Sequence, residues 1–470
     1  MPVAAWEDDP ASVPNPQPIQ RPVPDLSAGL LSFTMQAPVD PLPPADVYDA
    51  GTLSFRIWAA SEAARRGADF WTEIFQAAGL GGRTWQPGAP LPIILDEGAD
   101  LNAFYDRQAL NFFHGADGST TVFSGESPDV VCHELGHAVL DAARPELFDA
   151  QFPETAAFHE SFGDMSAILS ALQLPSIRIA LLSATKNQID RASRVSRLAE
   201  QLGAAIRLQA PDAVDPDCLR NAANSFVYQD PQNLPSDSPA SSISSEPHNF
   251  SRIFTGAFLN SLAGMLLVRN GTPGPDDLLQ VCIDIATILI RGVLAAPVVP
   301  DYYSQVALQI VNASQGVNSG AYTPTLRGAF VKREILTVDA AIASVPRQHA
   351  AMGMAGGAAS ATSIAPGAHA GERFGLRGKR VIIDVHHSYR PFAAAPAVRV
   401  GTATPPVPEE AATAFVEDLF RSGRVDAEAH QDPSDSIVHR RVPKTHELVP
   451  DGKDLRVRRR RFDCNFGHSC

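Results

Sequence analysis

The chain has 470 residues, 44% of them hydrophobic and 19% charged, and a net charge of −14. That balance excludes wholesale disorder, and the acidic excess excludes a nucleic-acid binder over the body of the molecule, because phosphate repels it. The length exceeds one ordinary core and predicts two or three domains plus tails.

Residues 1–46 are proline-dense, a composition that removes backbone donors and predicts an extended arm. Met1 to Gln20 has no basic stretch followed by an apolar one, so a cytoplasmic protein, or one exported without a recognisable signal peptide, is expected. From Leu53 to Ala78 the apolar residues Phe55, Trp58, Phe70, Ile74 and Phe75 recur at helical spacing, and Gly79 to Gly82 stops the helix. Leu91 to Asp96, Leu110 to His114 and Thr120 to Phe123 read as strands. Pro128 to Leu174 alternates helix and loop, and helical patterns dominate up to about Ser344. No uncharged apolar run reaches the roughly 18 residues of a membrane span. Leu278 to Val299, interrupted by Gln280, Asp284 and Arg291, reads as a buried helix. The Ala/Gly-rich stretch 346–371 is expected to be a linker, since its side chains bury too little to offset the cost of ordering. In the extension 372–470, Val381 to Val385 reads as strand and Glu409 to Arg421 as helix, with a basic run from Arg456 to Arg461. Five cysteines without a CxxC pair predict free or buried thiols in a reducing compartment.

The chemistry lies in His133-Glu134-Leu135-Gly136-His137. Positions i and i+4 share a helix face, so both imidazoles can reach one metal ion, and Glu134 stands where it can bond a metal-bound water. The flanks Val130, Val131, Cys132, Ala138, Val139 and Leu140 predict a buried helix, and buried polar groups need a partner. A surface helix with two unconnected histidines is the plain alternative. Catalytic zinc requires a third protein ligand and an open position. In the next helix Glu160 can supply that ligand, while Asp164, four residues on, can accept a hydrogen bond from the free nitrogen of a zinc histidine. His159 is a rival ligand, but its direction differs from that of Glu160 by about 100°.

These residues, with Glu160 falling 23 positions after His137, resemble the thermolysin family of gluzincin metallopeptidases. Asn102-Ala103-Phe104-Tyr105 resembles the family's edge-strand element, in which the Asn side chain and the next carbonyl hold substrate. Asp129-Val130-Val131 also fits, Leu219-Arg220 resembles the element whose Arg binds the substrate carbonyl, and His248 resembles the histidine that stabilises the transition state. The resemblance covers roughly Ser54 to Ser344. It implies an α+β fold of two lobes, mixed α/β over 47–145 and mainly helical over 146–345, with the active-site cleft between them. It implies a zinc endopeptidase acting on peptide or protein substrates. Zn2+ would be held by His133, His137 and Glu160, with Glu134 activating the zinc-bound water, His248 stabilising the oxyanion, Asn102, Ala103 and Arg220 binding substrate, and Asp164 supporting a zinc histidine. The oligomeric state does not follow.

This chain departs from the family in several places. It has no Tyr between Ala142 and His159 to serve as a second oxyanion donor, a loss that typically costs on the order of 100-fold in rate. Ile243 stands where the family has an Asp five residues before the transition-state histidine, and Glu246 is a substitute that position alone does not establish. Calcium is not supported, because Asp129 has no acidic companions between Asp164 and Asp190. A zinc-binding module without peptidase activity and a zinc hydrolase of a non-peptide amide are the alternative functions. The basic tail with Asp463, Cys464, His468 and Cys470 reads first as solvated and disordered. An anchor for an acidic partner, a metal or disulfide clip, or a segment blocking the active site are its other readings.

Overall fold

The computed structural model describes residues 2–118, 120–338, 362–376, 378–388, 407–427, 430 and 442–464. Most of the Ala/Gly-rich stretch, together with His468 and Cys470, lies outside the described residues. Strands β1 (Val3–Ala5), β2 (Ile19–Arg21) and β3 (Phe33–Gln36) precede helix α1 (Leu53–Ala77). Strands β4 (Leu91–Ile94), β5 (Ala103–Tyr105), β6 (Leu110–Phe112), β7 (His114–Asp117) and β8 (Thr120–Phe123) lead into helices α2 (Pro128–Ala143), α3 (Glu146–Asp149), α4 (Pro153–Ala171) and α5 (Pro175–Thr185). Next come β9 (Arg197–Leu198), α6 (Glu200–Gln209) and β10 (Arg220–Asn221), then α7 (Pro247–Arg269), α8 (Pro275–Ala295), α9 (Tyr302–Ala313) and α10 (Thr323–Lys332). The C-terminal part holds β11 (Thr362–Ala370), β12 (Arg380–Ser388), α11 (Pro408–Arg421), β13 (Val425–Asp426), β14 (His446–Asp451), β15 (Asp454–Arg459) and β16 (Phe462–Asp463). The chain is thus a mixed α/β protein.

Two five-stranded sheets organise the strands, one in the order β16-β5-β6-β4-β3 and the other in the order β11-β12-β15-β14-β13. In the first, β3, β4 and β6 run parallel, while β5 and β16 are antiparallel to their neighbours. One contiguous core runs from Leu31 to Cys464 and includes Phe374, Val381, Leu455, Val457 and Phe462, so the C-terminal part packs on the rest.

Helix α2 starts after Ser127, whose hydroxyl accepts the Val130 N–H, with Pro128 in the first turn where its missing N–H costs nothing. Helix α4 shares the first-turn proline, Pro153, but follows Phe152 without a side-chain cap. The two helices approach closely at glycines: a Cβ on Gly136 would lie 2.8 Å from the Gly163 Cα, and one on Gly163 would lie 2.6 Å from the His133 ring. That closeness lets side chains from both helices meet.

Three expectations differ from the fold. The proline-rich arm is not a bare extended segment: Ala4, Ala5 and Trp6 bury against Phe55 and Ala59 of α1, and β3 joins the sheet beside β4. Phe33 and Met35 are buried while Thr34 and Gln36 are exposed, a strand alternation that proline density obscures. Residues 362–370, assigned to a linker, form β11 paired along its whole length with β12. A ladder is made of backbone groups, so small side chains do not forbid it. The basic tail is not a solvated segment through residue 464 either: Asp454–Arg459 is a strand, and Phe462–Asp463 closes the first sheet. Helices α7 and α8 are long and apolar enough to cross a membrane by length and composition, and most of each is buried inside this fold.

Candidate metal centre

His133 and His137 project from one face of α2 towards Glu160 on α4, and the three offer ligand atoms within 4.8 Å of one another. All are 3% exposed or less. His133 Nε2 lies 3.3 Å from Glu160 Oε2, and His137 Nε2 lies 3.8 Å from Glu160 Oε1. Bonds of about 2.0–2.1 Å around a tetrahedral ion put ligand atoms about 3.3 Å apart, so the first of these distances fits such a shell and the second is wider. His133 Nε2, His137 Nε2 and Glu160 Oε2 are buried yet make no hydrogen bond among the described residues. Bare buried polar atoms are costly, and three of them converging on one point fit a cation.

The other nitrogen of each ring is committed. His133 Nδ1 lies 3.0 Å from Asp164 Oδ1, and His137 Nδ1 lies 3.3 Å from His159 Nδ1. A carboxylate only accepts, so His133 carries its proton on Nδ1 and turns the Nε2 lone pair towards the shared point. The same outcome for His137 requires that it donate to His159. His159, the rival ligand in the sequence, thus lies behind His137. Asp164 also accepts from Arg220, at 2.7 Å from Nη2 and 3.1 Å from Nε. Burial pushes the Asp164 carboxyl up, but the Arg220 guanidinium and His133 outweigh it and bring it to about 2. Burial lowers His133, whereas the carboxylates of Asp164 and Glu160 raise it to about 9, so a metal ion at Nε2 takes the place of a proton there. Burial holds His137 well below the ordinary imidazole range.

Glu134 follows His133 on the same helix. Burial raises its carboxyl to about 7, close to the value a general base needs near neutrality. Its Oε1 accepts from the Cys464 thiol at 2.9 Å. His248 stands in the first turn of α7, with Nε2 3.4 Å from Glu160 Oε2. Glu246 caps that helix through Oε2, which accepts the Asn249 N–H at 3.0 Å, and holds His248 Nδ1 at 2.6 Å through Oε1. Burial lowers His248, but the negative charges of Glu160 and Glu246 raise it to about 9, which makes it a cation at neutral pH. Glu246 thus does the orienting that its sequence position alone did not establish.

Asn102 is buried at the start of β5, with Oδ1 taking the Ala103 N–H at 2.9 Å and Nδ2 without a hydrogen-bond partner among the described residues. The Ala103 carbonyl accepts the Cys464 N–H at 2.8 Å. Tyrosine hydroxyls reach α4 from Tyr228, which donates to Glu154 at 2.8 Å, and from Tyr303, which meets Ser161 at 3.3 Å. A second group of buried carboxylates joins Asp129 to Asp9 and Glu200, acids that sequence reasoning did not bring to it. Asp9 comes from the proline-rich arm, and chain distance gave no signal of that meeting. Gly136, Gly163 and His159 also shape the centre, and sequence reading gave none of them these roles, whereas Glu246 beside His248 and a tail over the centre were among its open alternatives.

No family model matches the chain, and no curated protein matches it. Among solved structures, the precursor of protealysin, a metalloproteinase from Serratia proteamaculans, aligns over 64% of this chain and 86% of its own length, at 18% identity and a TM-score of 0.38.

Proposed function

We propose that the chain is a zinc endopeptidase of thermolysin-like build, with a two-lobed body and the centre in the cleft between the lobes. The observation that carries this reading is the convergence of three bare, buried ligand atoms of His133, His137 and Glu160 beside the carboxylate of Glu134. Zinc held by that trio supplies an acidified water and a Lewis acid for a peptide carbonyl.

The remaining work falls to the chain's own side chains. Glu134 takes a proton from the attacking water and returns it to the leaving amine. His248, held as a cation by Glu246 and Glu160, places positive charge where a carbonyl oxygen becomes negative, and the Asp463 carbonyl already accepts from its Nε2. Strand β5 offers backbone groups to an extended substrate, and Asn102 adds a buried amide donor. Arg220 keeps Asp164 ionised, which fixes the His133 tautomer, and orients a substrate carbonyl.

Digestion of a peptide library by purified protein, with and without a chelator, tests the reading. Chelator-sensitive cleavage of amide bonds is expected. Glu134→Gln should keep zinc and lose about 10²- to 10⁴-fold in turnover. Zinc-loaded protein that leaves every peptide intact, including after release of the C-terminal strand, would favour the binding-module reading.

A further inference from the structure

The three residues Phe462, Asp463 and Cys464 are each anchored in the centre by a different kind of contact. Strand β16 pairs with β5 in antiparallel register, Phe462 opposite Tyr105 and Asp463 opposite Phe104, and the Cys464 N–H extends the ladder to the Ala103 carbonyl. Without β16, β5 would be an open edge able to take an extended peptide. The Phe462 ring stacks on His159 at 4.2 Å and on His137 at 5.0 Å, with the Arg459 guanidinium 4.3 Å from its centroid. The Asp463 carbonyl accepts from His248 Nε2, and its carboxylate lies 3.4 Å from Arg424 Nη1. Cys464 is 1% exposed, and its sulfur shares a space of 4.8 Å with ligand atoms of His133 and Glu134.

We propose that the C-terminal strand is a built-in blocker: it lies along β5 as a substrate would, and Cys464 Sγ fills the fourth position on the metal bound by His133, His137 and Glu160. The proposal rests on the zinc reading above. Strand pairing alone would seat any peptide, but Cys464 adds a soft donor within 4.8 Å of ligand atoms of His133 and Glu134, and thiolate is a preferred ligand of zinc. Sulfur binds with its electron pair after the thiol proton leaves, and Glu134 Oε1, which already accepts that proton at 2.9 Å, receives it. The same contact occupies the group that activates water. Because the strand is tethered, it competes at a high effective concentration and holds the centre shut until it is displaced.

The test loads the full-length chain with cobalt(II) and compares it with Cys464→Ser, Phe462→Ser and, as a control, Cys470→Ser. Wild type and Cys470→Ser should show a thiolate-to-cobalt charge-transfer band. Cys464→Ser should keep the metal, lose the band and cleave a fluorogenic peptide at least about tenfold faster. Phe462→Ser, which keeps the thiol but loosens its strand, should weaken the band and raise the rate in the same direction. A metal-loaded wild type without the band overturns the proposal whatever the rates. A band with no cleavage by any variant upholds the thiol contact and sinks the peptidase reading instead. Failure to bind cobalt at all removes both.

Discussion

His133 and His137 turn bare nitrogens to one point because Asp164 and His159 occupy the opposite edges of their rings. Helical spacing made His133, Glu134, His137 and Glu160 legible in the sequence, since i, i+1 and i+4 positions fix directions before any packing is known. Asp164 was legible for the same reason. The service of His159 to His137 was not, because it depends on how the two helices roll against each other. Asp164→Asn should therefore lower zinc affinity by about 10- to 100-fold, measured by competition with a chromogenic chelator. It should also cost about 3–5 kcal/mol in urea unfolding, because it leaves the buried Arg220 guanidinium without its carboxylate. Wild-type affinity in this variant would remove Asp164 from the centre.

At the level of elements, the α2–α4 contact at Gly136 and Gly163 sets the distance between ligands on different helices. Gly136→Ala would push a methyl against the Gly163 backbone, which has no rotamer to yield. Overpacking of this kind costs about 1–3 kcal/mol, and zinc affinity should fall with it. Thermal unfolding with and without zinc reads both, and a variant unchanged in both would mean that the helices have slack. A second prediction concerns the join between the N-terminal arm, α2 and α6. Burial raises the Asp9 carboxyl to about 6 and the Glu200 carboxyl to about 9. The folded chain then holds protons at these two groups that the unfolded chain releases, so their contribution to stability is greatest near about pH 4 and falls as the pH climbs through about 9. Glu200→Gln should flatten that decline by up to about 1.4 kcal/mol per pH unit, seen as a smaller drop in Tm across the series. Parallel curves for the two proteins would contradict it. None of this was readable from the sequence, because Asp9, Asp129 and Glu200 are far apart in the chain and their shared burial is a property of the fold.

Across the molecule, long periodic elements such as α1 and α8 were plain in the sequence, whereas the roles of the two ends were not. Proline density in the arm and arginine density in the tail describe solvation, yet Trp6 packs on Phe55 and Phe462 packs on His137. Those contacts are long-range, and composition carries no information about which distant residue is the partner. They leave the centre enclosed: a cavity of about 210 Å³ beside it is lined from the body by Glu160, Glu246 and His248, and from the C-terminal part by Phe415, Arg424 and Phe462. The proposed chemistry depends on a divalent ion at the meeting point of two helices. Elemental analysis of purified full-length chain beside Glu160→Ala tests it most directly. One zinc per wild-type chain and little or none in the variant is the predicted result, and a wild type free of zinc, or a variant that keeps it with undiminished affinity, would contradict it.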